Sequence, residues 1–155
     1  MLIFWQFKRC CNRGIISRMR EKSRNNIKGT ITIEDGANIW PHELHTAKAL
    51  ANAGHTVRFI PNNASLATAD AYVDNTLFEF KSPEGTTIKC IENNLQKALR
   101  RQSRNVIIDC ARLKMIKERS VIHYLKERVR RKQGIKRLLV ITRKEEVIDI
   151  TDIVR

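Results

Sequence analysis

Well-spaced cysteine is the first thing this sequence lacks. Cys10, Cys11, Cys90 and Cys110 form no C-x-x-C pair, which argues against a structural zinc site and against a disulfide framework and points to a reducing compartment. Aromatic residues make up 6% of the 155 residues and none is interleaved with the basic runs, so a single-strand stacking platform is not expected. The apolar opening Leu2-Ile3-Phe4-Trp5 is far too short to cross a bilayer. It has neither a basic region before it nor a small-residue cleavage site after it, so the expectation is a cytoplasmic chain without a membrane partner. Internal repeats and low-complexity tracts are absent.

Acidic charge is scarce as well. Sixteen Asp and Glu stand against 30 Lys and Arg, leaving +14 at pH 7, an imbalance that calls for a polyanionic partner, nucleic acid before an anionic membrane surface. The charge is also uneven. Residues 1–28 carry eight Lys and Arg against Glu21 alone, whereas residues 29–99 hold eight acids against five bases, a net of −3. A chain of this length supports one domain with a hydrophobic core. The expected division is a basic N-terminal arm or helix over 1–28 and a single domain over 29–155.

Within that domain the pattern predicts a helix from about Pro41 to Ala53, with Pro41 at its first position and Gly54 at its C-terminal cap. A short strand, Thr56–Ile60, follows and stops at Pro61. Asp70–Val73 and Thr76–Lys81 are rich in aromatic and β-branched residues and flank Asp74-Asn75, a pair suited to a tight hairpin turn. A helix is expected from about Thr87 to Arg101. Asn105–Asp109 is an apolar run suited to a strand buried on both faces. Further on, Ser120 is the expected cap of a helix with Val121, Leu125 and Val129 inward, and Ile135–Thr142 and Glu146–Ile150 read as two strands. The order from Pro41 is α-β-β-β-α-β, which predicts a mixed sheet covered by helices, an α+β form of α/β fold with an added basic helix and C-terminal strands.

The hairpin carries the chemistry. A two-residue turn pairs Val73 with Thr76, Tyr72 with Leu77, Ala71 with Phe78 and Asp70 with Glu79. Opposed side chains lie about 5 Å apart on one face, and Lys81, two residues beyond Glu79, shares that face. Two neighbouring carboxylates repel unless a cation lies between them, and a hard divalent ion such as magnesium suits their oxygens. Lys81 beside it would polarise a water or compensate charge on a phosphate. Both carboxylates are expected to face a solvated cleft.

These residues, in this order of elements, resemble the PD-(D/E)XK, or restriction-endonuclease-like, nuclease superfamily, whose core is αβββαβ with Asp on one strand and Glu-x-Lys on the next. More closely, Pro41 to Asp109 resembles the C-terminal transfer-RNA nuclease domain of contact-dependent growth inhibition toxins. The likeness rests on Glu43, Gly54-His55-Thr56-Val57, Asp70, Phe78-Glu79-Phe80-Lys81-Ser82-Pro83, the helix Ile91–Leu99 and Asn105–Asp109. It covers under half of the chain, and Ala69 stands where the superfamily has Pro before Asp70. The resemblance implies a metal-dependent endonuclease acting on structured RNA such as tRNA. Its catalytic residues would be Glu43, Asp70, Glu79 and Lys81, with Mg2+ at Asp70 and Glu79 and at Glu43 directly or through water. An inhibitor or immunity protein is the partner it implies.

On position alone, Glu43 is equally explained by the helix dipole, which favours an acid in the first turn. Asp74 reads as a turn residue, and His42 and His45 as surface histidines without a third ligand. Lys97, Arg100 and Arg101, with Arg104 following and Arg112 and Lys114 nearby, are candidates for phosphate contact. Two other functions fit less of the sequence: a DNA endonuclease of a mobile element with the same centre, and a non-catalytic nucleic-acid-binding protein, which would have no use for paired carboxylates.

Overall fold

The computed structural model describes residues 28–61, 69–100, 103–131 and 134–154. The basic arm, apart from Lys28, and Arg101 lie outside the described residues. Seven strands form one sheet in sequential order: β1 (Ile31–Ile33), β2 (Val57–Phe59), β3 (Ala71–Val73), β4 (Thr76–Lys81), β5 (Asn105–Asp109), β6 (Arg137–Ile141) and β7 (Val147–Asp149). Four helices complete the described residues: α1 (Pro41–Asn52), α2 (Ile88–Arg100), α3 (Glu118–Arg130) and α4 (Ile150–Val154). β1 runs parallel to β2, the β2–β3–β4 meander is antiparallel, β4, β5 and β6 are parallel, and β7 is antiparallel to β6. The expected mixed sheet with helices is therefore the fold, and the αβββαβ order runs from α1 to β5.

Strand alternation divides the apolar residues between two cores. Val106 and Ile108 of β5 and Leu138 and Val140 of β6 pack with Ile91 and Leu95 of α2 and Val121 and Leu125 of α3. Ile107, Leu139 and Ile141, pointing the other way, join Phe78 and Phe80 of β4, Phe59 of β2 and Ala47 and Leu50 of α1. The continuous apolar runs of β5 and β6 follow from this: both of their faces are covered.

α1 begins at Pro41, whose missing N–H costs nothing at a first helical position. It ends where Gly54 takes φ 97° and the His55 N–H returns to the Leu50 carbonyl at 3.0 Å, a left-handed stop that glycine adopts without strain. Asp74 and Asn75 have φ 48° and 64°, as a two-residue hairpin of the primed type requires.

Asp74 also fastens that turn to the α1–β2 connection. Its carboxylate accepts the Thr56 N–H at 2.9 Å and lies 2.6 Å from His55 Nδ1. Burial alone would raise its pKa, but these two hydrogen bonds outweigh it and hold the group below its ordinary 3.8. Asp74→Ala is therefore expected to cost about 1 kcal/mol in a urea titration at neutral pH. A lowered folded pKa means that the contribution is present above 3.8 and is lost as pH falls through the folded value. The gap between mutant and wild type should close on acidification.

Three details differ from the sequence expectation. α3 starts at Glu118 with Lys117 as its cap, so Ser120 lies within the first turn rather than before it. β1 and α4 were not expected. β1 is three residues long and pairs with a strand 26 positions away, so it carries little local signal.

Candidate active site

The β3–β4 register is the one the two-residue turn dictates: Val73 opposes Thr76, Tyr72 opposes Leu77 and Ala71 opposes Phe78. The ladder ends there. Asp70 donates its N–H to the Phe78 carbonyl at 3.0 Å, and its Oδ2 accepts the Phe80 N–H at 2.6 Å. The Asp70 side chain thus replaces a backbone carbonyl at the point where the strands part. This keeps its carboxylate against the backbone next to Glu79.

Glu79 and Lys81 lie opposite Val106 and Ile108 of β5 and share their face of the sheet. Glu79 is 1% exposed, not open to a solvated cleft as its position in the alternation implied. Its Oε1 accepts a hydrogen bond from Lys81 Nζ, whose side chain is 18% exposed. The repulsion expected between Asp70 and Glu79 is relieved by these local donors: an ammonium for Glu79 and a backbone N–H for Asp70.

α1 brings further groups to the ends of β4 and β5. Glu43 Oε2 accepts the Trp40 N–H at 2.9 Å. Burial raises the Glu43 pKa above its ordinary 4.5. The Trp40 hydrogen bond and the charge of Lys81 pull it down, and Glu79 adds to the rise. Glu43 is thus within electrostatic reach of both Lys81 and Glu79. His42 is lowered by burial first and then by the positive charge of Arg112, with Asp109 opposing and Lys81 reinforcing.

Asp109, at the end of β5, belongs to the segment that carries the resemblance but has no site role in the sequence. It is 1% exposed. Its Oδ2 accepts the Thr46 hydroxyl at 2.8 Å and lies 3.0 Å from His45 Nδ1, and its Oδ1 accepts the Ala111 N–H at 2.9 Å. His45 is therefore not a bare surface histidine. The pair bolts the first turns of α1 to the strand ends, which holds Glu43 where Lys81 and Glu79 act on it. An acid closing an otherwise apolar strand was the one available signal.

As metal donors, Asp70, Glu79 and Glu43 are all carboxylates. Among the described residues no group of three His, Cys, Asp or Glu side chains is placed to hold a metal ion. Such a set does not suit a structural zinc. Carboxylate oxygens are the donors a hard ion such as magnesium takes, one or two at a time beside waters and phosphate oxygens.

The basic candidates separate. Lys97, Arg100 and Arg104 are exposed, on the outer side of α2 and in the turn before β5. Arg112 is ion-paired with Glu84, and Lys114 Nζ lies 3.8 Å from the same carboxylate, so these two are partly engaged within the protein. Among the described residues no helix is long and apolar enough to cross a membrane.

A family model described as the contact-dependent growth inhibition CdiA C-terminal domain matches residues 67–147, just over half of the chain. No curated protein matches by sequence. Among solved structures, one chain of a CdiA-CT/CdiI toxin and immunity complex from Burkholderia pseudomallei shares the fold, with a TM-score of 0.64 at 16% identity. The match covers 78% of this chain and 98% of that one.

Proposed function

From the premise that this chain belongs to the contact-dependent growth inhibition CdiA C-terminal domain family, we propose that it is a toxin nuclease of the PD-(D/E)XK type, a metal-dependent endonuclease that hydrolyses phosphodiester bonds in structured RNA such as tRNA. The observation that carries this reading is the convergence of Asp70, Glu79 and Lys81 at the end of the β3–β4 hairpin, with Glu43 of α1 within reach of their charges. A protein that only bound nucleic acid would gain nothing from burying a carboxylate–ammonium pair beside a second carboxylate.

Asp70 and Glu79 would hold Mg2+, with Glu43 completing the set directly or through water. The bound ion supplies charge neutralisation at the phosphate and a more acidic water. Lys81, already oriented by Glu79, donates its remaining N–H bonds to the attacked phosphate or to the water beside it, opposing the negative charge that develops on phosphorus. Glu79 fixes the Lys81 rotamer, and Asp70 holds the two strands at the separation this needs. The Burkholderia pseudomallei protein was solved with an immunity protein, which supports an immunity partner for this chain too.

Purified protein incubated with tRNA and with plasmid DNA, with magnesium and with chelator, tests the proposal. Magnesium-dependent cleavage of tRNA is expected. Cleavage of DNA alone would reassign the substrate to DNA, and cleavage of neither would overturn the enzyme reading.

Lys97, Arg100 and Arg104 are proposed phosphate contacts. Replacing all three by Gln should weaken binding about equally for every sequence and reduce the slope of log affinity against log salt by roughly 0.7–0.9 per lost contact. Turnover at saturating substrate should change little. A parallel deletion of residues 1–28 is the control: a slope that collapses only in the truncation would move the phosphate contacts to the arm.

A further inference from the structure

Trp40 is the last residue before α1 and is 58% exposed. Tryptophan is highly buried on average, so a side chain this open beside a candidate site asks for an occupant. The other large apolar side chains exposed among the described residues are Ile33, Leu77, Met115 and Ile153, all aliphatic or thioether.

The backbone that carries Trp40 is held on several sides. Its N–H donates to Glu43 Oε2 at 2.9 Å, and its carbonyl accepts the N–H groups of Glu43 and Leu44, each at 3.0 Å. The neighbouring Ile39 packs inward against the core of Phe59 and Phe80. The indole is thus displayed from a fixed point whose own amide touches the carboxylate that feels Lys81 and Glu79.

We infer that Trp40 is a stacking platform for an unpaired nucleobase next to the phosphate held at Asp70, Glu79 and Lys81. The inference rests on the nuclease reading and deepens it: the platform selects loop or single-stranded nucleotides over paired ones. The Trp40 amide is bonded to Glu43, whose carboxylate feels Lys81 and Glu79, so the indole stands one residue contact from the candidate centre. A splayed nucleotide can therefore place its phosphate at the carboxylates and its base on the indole. An aromatic face accepts any base, and every base in a duplex is already stacked on its neighbours. The scarcity of aromatics among the basic runs excludes an extended stacking strip but leaves room for one platform built by the fold.

Trp5 and Trp40 are the two tryptophans of the chain, so a Trp5→Phe variant reports on Trp40 alone. Without metal, this variant is titrated with a 2′-O-methyl single-stranded RNA oligomer, its duplex and an abasic oligomer of equal length. Fluorescence anisotropy of an end label measures binding independently. The single strand should quench Trp40, and the abasic oligomer should bind without quenching. Trp40→Ala should weaken single-strand binding about 5- to 150-fold with an unchanged salt slope and thermal midpoint, and Trp40→Phe should recover most of the affinity. Anisotropy changes without quenching, equal quenching by the abasic oligomer, or full affinity in Trp40→Ala would each overturn the platform. If magnesium-dependent cleavage persists in the background variant, that failure leaves the nuclease reading standing. Absence of both binding and cleavage removes the two together.

Discussion

Glu79→Gln is expected to lower cleavage by about 10²- to 10³-fold, as when a group acting directly on the reacting charge is lost, while the protein stays folded. The substitution preserves volume at a site that is 1% exposed, and the amide oxygen can still accept the Lys81 hydrogen bond. What disappears is the negative charge, and with it a ligand for a divalent ion. Asp70→Asn should act in the same direction, because its amide oxygen can still accept the Phe80 N–H that Asp70 Oδ2 receives at 2.6 Å. Asp70→Ala would instead strip that N–H of its acceptor and mix a structural loss with a chemical one. Calorimetry with magnesium should show weakened binding in both conservative variants, beside unchanged circular dichroism. Full activity in either one would sink the assignment.

Lys81→Met should separate binding from turnover. Cleavage is expected to collapse while magnesium affinity survives or rises, because an ammonium is no ligand for a cation and competes with one for Glu79. The metal-free variant should also lose about 3–5 kcal/mol of stability, the usual cost of removing one partner of a buried ion pair. Glu79 is fully buried and Lys81 only 18% exposed, so solvent screens the pair little. Magnesium should then raise the thermal midpoint of Lys81→Met more than that of the wild type, since an ion that binds the native state stabilises it. The double variant Lys81→Met/Glu79→Gln should recover part of the lost stability, because the uncompensated charge is gone. A fall in magnesium affinity that tracks the fall in activity would make Lys81 a structural residue.

Most of the hairpin was legible in advance. Asp74-Asn75 tolerates two consecutive positive φ values, and a two-residue turn leaves a single register for the strands it joins. The helices at Pro41 and Ile88 and the doubly buried β5 were likewise written in spacing and composition. Ser120 suits a cap by residue type, but the helix already begins at Glu118. β1 escaped notice because three residues with one half-buried side chain leave no pattern to detect.

The sequence alone determined what depends on neighbours along the chain: the αβββαβ order, the hairpin register, the shared face of Glu79 and Lys81, and the basic excess that calls for a polyanion. Each follows from a local period or from composition. Only the tertiary structure decided that Glu79 is buried and tied to Lys81, and that Asp70 leaves the ladder to accept Phe80 N–H. The same holds for the contact between His45 and Asp109, 64 positions apart, which fixes α1 over the strand ends. That contact forms because helix and strand cover one core. The resulting placement of Glu43 and Trp40 is a property of packing between elements, which no window of sequence contains.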